Sequence, residues 1–133
     1  KLLKSESPFY DWVGFYFANH KEKVLILESY AGNPTDHTKI PFGKGVCGQV
    51  AISNKNFIVP NVCDQQNYIS CNINVKSEVV VPIFLKGSNI GQIDVDSNSL
   101  NSFSERDVKL LESVCKLISV KMKKSKITMY EFN

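Results

Sequence analysis

The alternation of apolar and polar positions divides the chain into a short series of strands and two helices. Phe9 to Ala18 is dense in aromatic and β-branched residues and reads as a strand. The polar run Asn19–Lys23 reads as a turn, and Val24 to Tyr30 as a second strand, giving a hairpin. Residues 31–36 carry turn chemistry (Gly32, Asn33, Pro34, Asp36) and predict a loop. A short helix is expected just after Gly45, followed by a strand from Asn56 to Pro60. Ser77–Lys86 and Ile90–Ser97 predict a second hairpin around Gly87-Ser88, in which Pro82 asks for a bulge or a free edge. Leu111, Val114, Cys115, Ile118 and Met122 recur at helical spacing and predict a helix from about Ser104 to Lys124, with Ser102 and Glu105 at capping-box spacing. Mostly antiparallel strands with helices packed on one face make an α+β layer architecture.

Composition narrows this only a little. The chain has 133 residues, 43% hydrophobic and 22% charged, which fits one domain with a core of its own. Sixteen basic against 13 acidic side chains leave a net charge of +3. The basic cluster Lys121, Lys123, Lys124 and Lys126 sits at a helix end without interleaved aromatics, so it argues for a solvated helix terminus and against nucleic-acid binding. No apolar run is long enough to span a membrane and no signal peptide is visible, so a cytoplasmic protein is expected. The chain opens on Lys1 rather than Met, and Lys1–Lys4 reads as the end of a preceding helix. Residues 1–133 are therefore expected to be a single domain whose N-terminal helix is truncated or missing.

Four cysteines (Cys47, Cys63, Cys71 and Cys115) show neither a C-x-x-C pair nor zinc spacing, and His20 and His37 do not complete one, so no metal site is expected. Cys115 falls on the apolar stripe of the last helix and reads as a buried hydrophobe. Cys71 lies in the long polar loop 61–76, a length typical of functional or disordered segments. Its position alone does not choose between a reactive and an idle thiol. Cys47 lies in the first turn of the short helix, where backbone N–H groups lower a thiol pKa, and Cys63 shares the loop with Cys71. Either could resolve a sulfenic acid on Cys71.

Asp94 and Asp96, two apart on a strand, share one face with Ile90 and Gln92 by parity. An exposed polar strand end is the plain explanation for them. Glu78 reaches that face only if the hairpin has an odd loop or a bulge; the three carboxylates then meet and could bind an ammonium group or share a proton. Trp12 and Tyr16, joined by Tyr10, share parity on the first hairpin. They make either core or an aromatic wall for a sulfur-containing or cationic group.

Taken together, five stretches resemble the free methionine-R-sulfoxide reductases, which are built on a GAF domain: Trp12–Tyr16, Ile40–Gly48, Val59–Val62, Ser77–Ile83 and Ile90–Ser97. The likeness runs from about Asp11 to Leu117. It implies a GAF-type fold with a central, mostly antiparallel sheet. Cys71, seven residues before Glu78, matches the family's nucleophile; Glu78, Asp94 and Asp96 match its substrate carboxylates; Cys47 matches the cysteine of its G-V-C-G motif. The implied activity is reduction of free L-methionine-(R)-S-oxide through a sulfenic acid and an intramolecular disulfide. Thioredoxin or another dithiol would recycle the enzyme, without a cofactor, and a homodimer is compatible with the resemblance. The family's usual resolving cysteine lies ten residues before the G-V-C-G cysteine, where this chain has His37, and Asn72 replaces the usual aspartate after the nucleophile. Cys63 is outside the family pattern. Resolution thus passes to Cys47, the first choice, to Cys63, or to an external thiol. The competing function is a non-catalytic GAF sensor of a small molecule or of redox state.

Overall fold

A computed structural model describes residues 7–65 and 74–125, with side chains through Met122. Six antiparallel strands form one sheet in the order β3-β2-β1-β6-β5-β4. The strands are β1 (Trp12–Asn19), β2 (Val24–Ala31), β3 (Lys39–Pro41), β4 (Phe57–Val59), β5 (Ser77–Leu85) and β6 (Ser88–Ser97). Helix α1 (Gly45–Ser53) lies between β3 and β4, and helix α2 (Glu105–Ser125) follows β6. The α+β class and both hairpins agree with the sequence pattern. The pattern does not reveal β3, which has three residues, ends on a proline and offers no alternation to read.

The two helices take opposite faces of the sheet, not the single face that the sequence pattern suggests. Odd-numbered β5 residues Val79, Val81, Ile83 and Leu85 pack with Val108, Leu111, Cys115 and Met122 of α2. Val80, one residue out of step, packs with Val46, Cys47 and Val50 of α1, together with Trp12 and Tyr16. This follows from the period-two strand, whose successive side chains leave on opposite sides. β5 and β6 are buried on both faces, which explains the nearly unbroken apolar run of β5 from Val79 to Leu85. Pro82 is accommodated because β4 stops at Phe57, opposite Val80, so the outer edge of β5 is unpaired beyond that point.

The cap of α2 lies two residues further along than the capping pattern predicts. Ser104, not Ser102, stands at the N-terminus, and the Asp107 carboxylate accepts from the Ser104 backbone N–H at 2.9 Å. Ser102 instead bonds Ser97 and Ser99. Tyr10 also departs from expectation. It lies before β1 and joins the α2-side cluster, its hydroxyl donating to Asp107 at 2.6 Å.

The β5–β6 hairpin turns on Lys86 and Gly87, both at positive φ, as a primed turn requires. Leu85 pairs with Ser88 and Phe84 with Asn89, but Ile83 pairs with Gly91. Ile90 is therefore an extra residue, a bulge. It turns to the α2 side with Ile93 and Val95, so Ile90 does not share a face with Gln92 as simple parity expects. Asn89 bridges the bulge. Its side-chain oxygen accepts from Gly91 N–H at 2.9 Å, and its amide donates to Asn54, the α1 C-cap residue, at 2.9 Å. Asn89→Ala strips both bonds from a buried position, and we expect a loss of about 1–3 kcal/mol in urea unfolding. An unchanged midpoint would mean that the bulge holds itself.

Candidate active site

The bulge sets which residues stand side by side. Beyond it, Glu78 pairs with Asp96 and Val80 with Asp94. On the other side of β6, Asp96 pairs with Trp12, Asp94 with Gly14 and Gln92 with Tyr16. Cross-strand partners project from the same face. Glu78, Asp94 and Asp96 consequently meet under α1, flanked by Trp12 and Tyr16. This is the meeting that the sequence pattern allowed only for an odd register.

These carboxylates are not an exposed strand end. Glu78, Asp94 and Asp96 are 4, 2 and 1% exposed. Asp94 Oδ1 and Asp96 Oδ1 are buried with no hydrogen-bond partner among the described residues, as are both amide atoms of Gln92. Burial raises the Asp94 pKa above 3.8. It raises that of Asp96 further, with the charge of Asp94 adding to the effect. Two buried carboxylates that interact this closely favour sharing a proton.

Cys47 completes the cluster. It is 5% exposed, and its thiol approaches Glu78 Oε2 at 3.9 Å. One donor atom each from Cys47, Glu78 and Asp94 lie within 4.8 Å of one another. Cys47 does stand in the first turn of α1, as expected, but its pKa is raised well above 9.0, not lowered. Burial is the largest cause, followed by the charges of Asp94, Glu78 and Asp96. The partial charge of a helix end, about half a unit, is outweighed by desolvation and three carboxylates.

The aromatic residues are placed by their neighbours. The Trp12 indole lies over Gly14, where a Cβ would sit 2.1 Å from Trp12 Cη2, so only glycine leaves the ring room against the sheet. Trp12 stacks on Tyr30 at 5.7 Å between centroids and donates from Nε1 to Asn33 O at 3.0 Å. Tyr16, fully buried, donates to His37 O at 2.9 Å. Two β1 side chains thus tie down the loop after β2. Below that loop is a small cavity, lined by His37, Lys44, Val46, Cys47, Glu78 and Asp94 among others, with space for at most one water molecule. Trp12 and Tyr16 neighbour this cavity through the buried cluster but do not line it. A larger groove between β5 and α2, lined by Pro82, Phe84 and Cys115 among others, lies on the opposite face, away from the carboxylates.

Cys71 lies outside the described residues. Cys63 is exposed in a 3-10 turn, Val62–Asp64, and its N–H donates to the Asn61 side-chain oxygen. Cys115 is buried, and burial, with Glu112 nearby, pushes its thiol up to about 12, in keeping with a core role. Sequence reasoning missed Gly14, the orphaned Gln92 amide and His37 as a cavity residue. The first was detectable as a glycine one register step from a tryptophan on the same strand face; the others depend on packing.

The GAF domain family model matches residues 6–122. GAF domain-containing protein A of Dictyostelium discoideum is 42% identical over 87% of this chain and 72% of its own length. Among solved structures, the free methionine-R-sulfoxide reductase of Neisseria meningitidis in complex with its substrate superposes with a TM-score of 0.88 at 34% identity, over 94% of this chain and 74% of that one. The type II enzyme of Thermoplasma acidophilum gives 0.85 at 36%, over 89% and 82%. A fold, a buried acidic cluster and relatives of this kind define a GAF-type oxidoreductase, and the chain belongs to the free methionine-R-sulfoxide reductase family. Among the described residues no helix is long and apolar enough to cross a membrane.

The raised carboxyl pKa values have a thermodynamic sign. Between 3.8 and its raised value, Asp96 binds a proton in the fold that the unfolded chain has released. Its contribution to stability is complete below 3.8 and is lost as pH rises through the folded pKa. Asp96→Asn should therefore gain stability relative to the native chain as the pH climbs above about 4 in paired urea titrations. A difference that falls would show an Asp96 carboxylate stabilised as the anion, and a flat one would show that its pKa is the same folded and unfolded.

Proposed function

We propose that this chain reduces free L-methionine-(R)-S-oxide to L-methionine, with Cys71 as nucleophile. The observation that carries the proposal is the group of three buried carboxylates, two of them with oxygens that have no partner among the described residues. A free amino acid brings an ammonium group that would satisfy these oxygens. Methionine within a peptide has none, which accounts for selectivity toward the free form. Trp12 and Tyr16 supply the apolar wall beside that group.

The Cys71 thiolate attacks the sulfoxide sulfur, and the oxygen passes to the cysteine as its proton is supplied by a carboxyl of raised pKa or by water held there. Methionine leaves, and Cys71 remains as a sulfenic acid. A second thiol condenses with it, releasing water and forming a disulfide, which thioredoxin or another dithiol reduces back to two thiols. Val62 and Val75, which flank the Cys71 segment in sequence, pack in the same buried cluster as Cys47 and Trp12, in support of Cys71 as the nucleophile.

Cys71→Ser should reduce turnover of free methionine-R-sulfoxide to background while leaving the far-ultraviolet spectrum and unfolding midpoint intact. Glu78→Gln should lower kcat/KM by about tenfold or more, about 1.4 kcal/mol. Turnover surviving in Cys71→Ser would end the proposal, and tight ligand binding without turnover in the native chain would make this a sensor domain instead. For recycling, Cys47 is the first choice as resolving thiol and Cys63 the alternative. Peptide mapping of protein oxidised by substrate should recover a Cys47–Cys71 bridge, and a Cys63–Cys71 bridge alone would reverse the order.

A further inference from the structure

We propose that Cys47, Glu78 and Asp94 form a binding site for a thiophilic divalent cation, of which zinc is the type. The proposal uses only described residues and depends neither on Cys71 nor on turnover.

Three observations support it. The first is the donor set. A cysteine sulfur and two carboxylates, contributed by α1, β5 and β6, place one atom each within 4.8 Å of the others. Zinc binds sulfur at about 2.3 Å and carboxylate oxygen at about 2.0–2.2 Å, so a tetrahedral ion spans about 3.5 Å from sulfur to oxygen. The 3.9 Å between Cys47 Sγ and Glu78 Oε2 is a small rotation away from that span.

The second is separate from the clustering. Asp94 Oδ1 and Asp96 Oδ1 are buried and have no hydrogen-bond partner among the described residues. Asp94 is 2% exposed and lines the cavity that contains Cys47 and Glu78. A buried carboxylate oxygen with no donor is costly, and a bound cation is one of the standard reasons for such an atom.

The third is His37. It stands where the resembling family usually has a cysteine, and it lines the same cavity. Its imidazole falls outside the 4.8 Å group. It is the candidate for a fourth donor from the cavity wall, with water as the alternative. Cysteine, histidine and carboxylate are the ordinary protein ligands of zinc, and the thiolate favours soft cations over magnesium or calcium. On binding, the Cys47 thiol gives its proton to solvent as the sulfur–metal bond forms. No oxidant or reductant is involved.

The site overlaps the one assigned to the substrate's ammonium group, so cation and substrate would exclude one another. Inhibition is nevertheless a poor test, because zinc on Cys71 would also inhibit. The test is direct binding to the full chain carrying Cys63→Ser and Cys71→Ser. Zinc is titrated in competition with a chromophoric chelator, and cobalt(II) is followed by absorption. We expect one equivalent of zinc, and a thiolate-to-cobalt charge-transfer band that adding Cys47→Ser removes. Adding Asp94→Asn, which keeps the volume and removes a buried charge, should weaken zinc by at least about tenfold, or about 1.4 kcal/mol. Absence of stoichiometric binding, absence of the charge-transfer band, or zinc affinity indifferent to both substitutions would overturn the site. Each of these results would leave the reductase proposal untouched, and failure of turnover would leave the binding result standing.

Discussion

One extra residue in a hairpin determines whether this molecule has a site. With Leu85 paired to Ser88 and no bulge, the ladder would run on to set Glu78 opposite Val95, and the Glu78 side chain would project into the apolar layer under α2. Ile90 takes up the odd position. Its insertion moves Glu78 opposite Asp96 and turns Ile90 itself into the apolar layer. The break in the ladder is met locally. Asn89 takes the Gly91 N–H, and His20 Nε2 lies 2.6 Å from the Asn89 carbonyl. Gly91 in turn permits close approach to β1, since a Cβ there would stand 2.3 Å from Tyr16 O. The bulge, the turn and the β1 contact thus act as one unit whose product is the alignment of three acids.

The sheet separates stability from chemistry. Its α2 face is apolar almost throughout, with Val79, Val81, Ile93, Val95 and Leu111 all nearly inaccessible. Each such side chain contributes about 1.5–3 kcal/mol through burial. The α1 face carries Glu78, Gln92, Asp94 and Asp96 at the same depth, where each ionised group costs several kcal/mol unless it is protonated or met by a cation. A sheet covered on both sides permits this, since one face can hold the fold while the other keeps charges dry. A one-sided sheet would have exposed them.

Much of this was legible in sequence, and its limits have physical causes. Same-face placement of Asp94 with Asp96, and of Trp12 with Tyr16, follows from the strand period and holds in the structure. The need for an odd register could be stated, but a bulge leaves no mark in parity until the turn is known, and the turn lies on Lys86-Gly87 rather than Gly87-Ser88. Depth was not legible. A polar alternation at a strand end looks the same whether water or α1 covers it, so the carboxylates read as exposed. Tyr10 was miscounted because parity was carried past the true start of β1 at Trp12. The position assigned to Ser102 belongs to Ser104, since two serines near an acidic first turn offer two capping registers and only tertiary contacts choose between them.

Cys47 shows the competition between local and tertiary electrostatics most clearly. Its place on α1 argues for an acidic thiol, because unpaired N–H groups stabilise an anion within the first turn. Its surroundings argue the reverse, and they prevail. Desolvation disfavours the thiolate outright, and three carboxylates disfavour it again from one side. Both effects push the thiol pKa up. A cation seated among Glu78, Asp94 and Asp96 changes both terms together, since it cancels the repulsion and supplies the counter-charge that burial withholds. An ammonium group and a metal ion are alike in this respect. The direction of the Cys47 shift is thus set less by its own helix than by burial and the acidic face of the sheet.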